Sequence, residues 1–188
     1  MENSLTIAVV AGTSRQGRQS IKAARYVAEF GTYLPNVQII FVDPSDFHFL
    51  GDGDDPEVKD PRYSAITAKA DAFFIVTPEY NHSFPGSLKR LLDSELENYR
   101  HKPVALAGSS SGSWGGVRAV EALLPVMRAL GLVATATSPY FPRVQTSFDD
   151  HNQPVPDRKD RIDQAIQRSY DELIWLAGAL KSGRDQPT

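Results

Sequence analysis

The chain has 188 residues and a mass of 20.7 kDa, about one domain at roughly 150 residues each. Its 20 basic and 23 acidic residues leave a net charge of −3, which argues against a general nucleic-acid binder, because such domains carry a basic field. It has no cysteine, so disulfides, thiolate metal sites, Fe–S clusters and cysteine nucleophiles are excluded.

Leu5 to Ala11 is a short apolar run ended by Gly12, the pattern of a strand buried on both faces. From Ser20 to Phe30, Ile21, Ala24, Val27 and Ala28 recur at helical spacing, with Gly31 as the expected stop and Ser20 as an expected cap. Val37 to Val42 is β-branched and reads as a second strand. Residues 43–60 form an acidic loop, with seven acids against Lys59. Within it, Asp52-Gly53-Asp54-Asp55 lacks the full spacing and terminal Glu of an EF-hand, so a solvated loop is expected rather than a calcium site. A short helix is predicted over 62–69, a third strand over Ala72 to Thr77, and a helix from Pro85-Gly86 through Leu96.

Val104 to Ala107 reads as the fourth strand and Val117 to Leu130 as a helix, in which Pro125 removes a hydrogen bond or causes a kink. Leu132 to Ala136 reads as the fifth strand. Residues 137–157 hold four prolines and read as irregular. Arg161 to Leu180 is the strongest helical pattern, and residues 182–188 read as a polar tail after a single domain over 1–181. No apolar run approaches the ~20 residues of a membrane span. The first residues lack a signal peptide's basic segment and apolar core, so a soluble, cytoplasmic protein is expected.

Five strands alternating with helices predict an α/β fold, a parallel sheet with helices on both faces. In such sheets ligands bind beyond the carboxyl ends of the strands, where strand order reverses. The rule selects three loops, and they are the most unusual stretches of the sequence.

The first loop is Gly12-Thr13-Ser14-Arg15-Gln16-Gly17-Arg18-Gln19-Ser20. It joins a buried strand to a helix start, where unpaired N–H groups and the helix dipole favour a phosphate. Its hydroxyls and two guanidinium groups add charge-assisted donors. It lacks the Lys-Ser/Thr of a Walker A loop and the three glycines of a dinucleotide fingerprint. The second loop, Thr77 to Gly86, is stiffened by a proline near each end and presents Tyr80 and Asn81 as a polar-edged ledge for a flat heterocycle. The third, Gly108 to Gly116, is small and flat, with Trp114 able to wall a ring. Gly108 to Gly112 also satisfies Gly-x-Ser-x-Gly, which would make Ser110 a hydrolase nucleophile, but the only downstream histidine is His151 in a proline-rich loop.

Taken together these residues resemble the NAD(P)H-dependent FMN reductase family, a flavodoxin-like group. The first loop matches the family's Gly-Ser-x-Arg-x-Gly-Arg-x-Ser/Gly, with Thr13 where Ser is common. The hallmark Pro-Glu-Tyr-Asn-x-Ser-x-Pro-Gly-x-Leu-Lys runs unbroken from Pro78 to Lys89 and is followed by Asp93. Gly115-Gly116, Phe148-Asp149-Asp150 and the long last helix also match. The acidic stretch at 52–57 is a departure.

The resemblance implies a five-stranded sheet in the order 2-1-3-4-5. It implies that Thr13, Ser14, Arg15, Arg18, Gln19 and Ser20 hold the FMN phosphate. Pro78, Glu79, Tyr80 and Asn81 would line the isoalloxazine, and Ser111, Gly112 and Gly115 its other edge. NADPH or NADH would stack on the flavin and pass hydride to N5. A quinone, azo compound, free flavin or similar small-molecule acceptor would then take the electrons in a ping-pong cycle. The cofactor carries the chemistry, so no catalytic side chain and no metal is expected. A homodimer or homotetramer is implied, with its interface sought on the 86–98 helix, the 43–60 loop and the 137–157 segment. The competing readings are a flavodoxin-like electron carrier without NAD(P)H turnover and the Ser110 hydrolase.

Overall fold

Alternating side chains on three central strands dictate the architecture. In the structure, a computed structural model describing residues 4–47 and 59–184, these are β1 (Leu5–Ala11), β3 (Ala72–Pro78) and β4 (Pro103–Ser109). Every residue of all three is buried. Ile7, Val9, Phe74, Val76, Ala105 and Ala107 face α1 (Ser20–Thr32) and α6 (Pro156–Arg184). Ala8, Val10, Phe73, Ile75, Val104 and Leu106 face α2 (Pro61–Lys69), α3 (Gly86–Asp93) and α4 (Val117–Ala129). Strands apolar on both faces must be covered on both, as a parallel sheet with crossover helices does.

The order is β2-β1-β3-β4-β5, all parallel, with β2 at Val37–Val42. The expected 2-1-3-4-5 sheet is therefore found, but its fifth position is split. Val133–Ala134 forms β5 beside Pro103 and Val104, and Tyr140–Phe141 forms β6 beside Gly108 and Ser109. The expected strand over 132–136 is cut short by Glu172 of α6. Its carboxylate accepts from the backbone N–H groups of Ala136 (2.8 Å) and Thr137 (2.9 Å), which then leave the ladder.

Other expectations shift for local reasons. Gly31 does not stop α1, which runs to Thr32. A Cβ at Gly31 would lie 2.5 Å from the Tyr170 hydroxyl, so this glycine is where α6 approaches α1, and Tyr170 donates to Val27 O at 2.8 Å. Pro125 sits inside α4, which continues to Ala129. α3 ends at Asp93, before Leu96. The segment expected to be irregular holds β6 and a short helix, α5 (Val144–Ser147). α6 starts at Pro156 instead of Arg161. It extends through residues 182–184 of the expected tail, where Lys181 and Arg184 both reach Asp71 (3.0 and 3.6 Å). Among the described residues no helix is long and apolar enough to cross a membrane. The acidic stretch Asp52-Gly53-Asp54-Asp55 lies outside the described residues.

Lys102 is buried, and its ammonium donates to Thr67 O (2.7 Å) and Ala68 O (3.3 Å), closing the C-terminal end of α2. Burial, with Arg184 nearby, lowers its pKa to about 8. Between pH 8 and about 10 the unfolded chain therefore holds more protons at this residue than the folded one, and stability from this group rises with pH. Above that range the buried Tyr63, Tyr99 and Tyr170, whose pKa values burial raises, act in the opposite sense. Urea unfolding of wild type and Lys102→Met should show the difference moving in the wild type's favour over this window. A difference constant with pH would contradict the assignment.

Candidate functional site

Beyond the carboxyl ends of β1, β3 and β4 the structure forms a cleft of about 670 Å3. That is within the ~300–1,000 Å3 typical of small-molecule sites. Its walls are the β1–α1 loop, the β3–α3 loop, the start of the β4–α4 loop and the first turn of α5.

The β1–α1 loop leaves a helix end open. Gln19 precedes α1 with no side-chain cap, and Ser20 begins the helix rather than capping it. The first turn of α1 carries no acid. Lys22 N–H donates to Gln19 O at 3.1 Å, and the N–H groups of Ser20 and Ile21, with the positive end of the dipole, are left available to an anion. Arg15 is exposed at the cleft, its guanidinium 6.0 Å from the Tyr80 ring centroid. No ion pair holds it among the described residues. Arg18 behaves differently. Its guanidinium is paired with Asp43, and both side chains are largely buried. The register explains the pairing: β1 and β2 run side by side with Val10 opposite Val42, so the residue after β2 sits beside the loop after β1. Asp43 also accepts from Ser45 N–H at 3.0 Å, which starts the 3-10 turn at 44–46.

The β3–α3 loop owes its rigidity to a tight turn. Tyr80 and Ser83 exchange two backbone hydrogen bonds (2.8 and 3.0 Å). Asn81 and His82 between them have φ of 48° and 67°. Two consecutive left-handed residues define the hairpin turn that asparagine tolerates best. Glu79 points the other way. Its carboxylate is nearly buried (7% exposed) and accepts from Arg118 Nε of α4 at 2.7 Å. Arg118 in turn lies over the exposed Trp114 ring, 5.7 Å from its centroid.

The β4–α4 loop is braced internally. Ser110 Oγ accepts from Gly115 N–H (2.9 Å) and donates to Gly112 O (3.0 Å). Gly116, with φ +86°, sits 2.4 Å from Ser109 N when a Cβ is built on it, so only glycine folds the loop back onto β4. Ser110 meets backbone, not a histidine, and His151 is an exposed residue of another turn, so the nucleophile reading finds no partner here.

Of the residues expected at a flavin site, Arg15, Arg18, Gln19, Ser20, Pro78, Glu79, Tyr80, Asn81 and Ser111 line the cleft. Thr13, Ser14, Gly112 and Gly115 do not. Thr13 is buried under the loop, with Oγ1 3.4 Å from the Tyr80 hydroxyl and accepting from Arg15 N–H at 3.3 Å. Ser14 N–H donates to Ser87 Oγ at 3.3 Å. Gly112 O accepts from Arg143 N–H at 2.9 Å. These residues shape the loops rather than face the cavity.

Val144 and Gln145 of α5, with Gly17, Ser109 and Ser110, line the cleft without having been assigned to a flavin site. Asp43 and Arg118 were also missed. Asp43 carried a signal, an acid directly after the neighbouring strand; Arg118 carried none beyond its place in the first turn of α4, which follows the third loop.

Arg18 Nε and Glu79 Oε2 are buried without a hydrogen-bond partner, as are Ser64 Oγ and Ser169 Oγ away from the cleft, so whether the cleft suits a polar cofactor rests on the groups that face it. With an open helix terminus, a free arginine and a rigid aromatic ledge, the donor set fits a phosphorylated flat heterocycle such as FMN.

Comparison with known proteins agrees. The family model for NADPH-dependent FMN reductase matches residues 5–145. A 2-hydroxy-1,4-benzoquinone reductase from Burkholderia sp. is 34% identical over 147 residues, covering 69% of this chain and 73% of the relative. A quinone reductase from Pseudomonas putida is 29% identical over 133 residues, covering 65% and 69%. In fold, the chain superposes on the flavoenzyme NAD(P)H:acceptor oxidoreductase FerB from Paracoccus denitrificans with a TM-score of 0.71 at 19% identity, covering 90% and 97%.

Truncating Arg118 would leave the Glu79 carboxylate buried and unpaired. Arg118 is itself 42% exposed, which limits the effect. Arg118→Ala should lower stability by about 1–2 kcal/mol, and adding Glu79→Gln should recover most of it. Urea denaturation of the single and double variants measures this; a double variant as unstable as the sum of the two singles would refute the coupling.

Proposed function

Because the chain belongs to the NADPH-dependent FMN reductase family, we propose that it binds FMN in this cleft and uses NADPH or NADH to reduce quinones and related small acceptors. Bound FMN supplies the hydride-accepting and electron-donating chemistry. The protein's residues bind and orient. The open N–H groups of α1, Ser20 and the unpaired Arg15 hold the phosphate dianion, and this helix terminus is the observation that carries the reading. Arg18 supports that grip from behind: paired with Asp43, it cancels a negative charge that would otherwise repel the phosphate.

The ledge from Pro78 to Asn81 orients the ring system, fixed below by the Tyr80–Ser83 turn and behind by the Glu79–Arg118 pair. Ser111 closes the other edge, with Gly112, Gly115, Thr13 and Ser14 shaping the loops that face it. No side chain is required to transfer a proton. The open cleft suits two substrates entering in turn, so the ping-pong order belongs to the same proposal. Assembly into a dimer or tetramer through the 86–98 helix, the 43–60 loop and the 137–157 segment belongs to it as well.

The electron-carrier reading is separated by turnover. Purified protein with FMN should oxidise NADPH steadily when a benzoquinone is supplied, with parallel initial-rate lines as both substrates are varied. Flavin bound without turnover would favour the carrier. At the phosphate grip, Arg15→Ala should weaken FMN binding by about 1.5–3 kcal/mol, roughly 10- to 100-fold, in a flavin fluorescence titration. Unchanged affinity would refute the role given to Arg15.

A further inference from the structure

A second cavity, of about 590 Å3, lies behind the wall that closes the cleft, and the proposed reaction makes no use of it. The wall is residues 110–113 packed on 141–145. Arg143 N–H donates to Gly112 O (2.9 Å) and the Gln145 amide to Ser111 O (3.2 Å). One side of the cavity is a face of α6, where Arg158, Arg161 and Arg168 recur at helical spacing. Arg143 joins them from the turn before α5. Four guanidinium groups thus line a cavity with one carboxylate, Asp157, in a chain whose net charge is −3.

The charges are not consumed by the fold. Arg158 donates to Ser147 Oγ at 2.5 Å, a neutral partner. Arg143, Arg161 and Arg168 make no side-chain hydrogen bond or ion pair among the described residues. Of the acids on α6, Asp163 is occupied by Lys159 (2.7 Å) and Tyr26 (2.6 Å), Asp171 by Gln167 (2.7 Å) and Glu172 by the backbone of Ala136 and Thr137, while Asp157 and Asp160 are exposed on the same helix. Arg158 and Arg161, three residues apart on the helix, repel. Asp157 is the one carboxylate that lines the cavity with the four guanidinium groups. Guanidinium forks match phosphate oxygens in pairs. Tyr140 is 38% exposed and lines the same cavity, offering a flat apolar surface beside the charges.

We propose that this cavity is a phosphate-monoester site, taking a dianionic phosphate carried on a flat organic body. Two sources share that chemistry. One is the 2′-phosphate of NADPH, reaching past the wall from the flavin cleft, a source that rests on the reductase reading. The other is a separate phosphorylated metabolite.

The test is calorimetric titration of the FMN-loaded full chain with inorganic phosphate, 2′-AMP and 5′-AMP, in wild type and in Arg161→Gln/Arg168→Gln. Both arginines are exposed, so the variant should fold, and its FMN content checks this. Binding of these probes in wild type, weakened at least tenfold in the variant at unchanged FMN content, supports the site. Within that result, 2′-AMP binding at least tenfold tighter than 5′-AMP, with KM for NADPH but not NADH raised in the variant, identifies the dinucleotide. Similar binding of all three probes, with NADPH kinetics untouched, identifies a separate phosphorylated ligand. No binding at millimolar probe, or equal binding in wild type and variant, overturns the proposal. A colourless protein without NADPH oxidation would remove the reductase reading, and the phosphate titration would then be read on the flavin-free chain, with circular dichroism checking the fold of the variant.

Discussion

The site depends on a helix that begins without a cap. A side-chain oxygen before a helix can satisfy its first N–H groups, as Asp60 does for α2. Here Gln19 offers none, Ser20 is already inside α1, and no acid occupies the first turn. The end of β1 is held by the sheet: Gly12 N–H donates to Val76 O at 2.8 Å, so the loop leaves from a fixed point on the central strands. An unpaired dipole end on a rigid base is a standing demand for an anion. Arg15 adds an exposed positive charge where the loop meets solvent, next to the Tyr80 ring.

The walls of the cleft are set by ion pairs that cross between elements. Arg18–Asp43 ties the β1–α1 loop to the end of β2, and Glu79–Arg118 ties the β3–α3 loop to α4. Each pair puts one residue of the cleft under control of a neighbouring element and neutralises an acid at its wall. The Tyr80–Ser83 turn and the Ser110 brackets fix the remaining backbone. The site is therefore prepared before any ligand arrives, and binding need not order long loops.

The central strands were legible because both their faces are buried. Seven consecutive apolar or small residues in β1, and the Phe/Ile/Val run in β3, admit little else. The three loops were legible because their composition is extreme. What escaped is long-range. The fifth strand looked longer than it is because its apolar run says nothing of Glu172, which lies on α6 and captures two N–H groups of the ladder. Gly31 looked like a helix stop because local rules see only its missing side chain, whereas Tyr170 needs that space. Thr13, a phosphate ligand by its position in the motif, has its hydroxyl buried under the loop beside Tyr80 and Arg15, contacts that no local pattern announces. α5 and its two cleft residues were hidden in a proline-rich stretch whose short elements leave no periodicity to read.

The account turns on the phosphate, since the aromatic ledge alone would accept any flavin. The most direct measurement compares FMN with riboflavin, which has the same ring system and no phosphate, by equilibrium dialysis against the flavin-free protein. The open helix end and Arg15 predict that FMN binds about 100-fold or more tighter, roughly 3 kcal/mol from charge-assisted contacts. Equal affinity for the two would show that the β1–α1 loop grips nothing, and would contradict the account at its base.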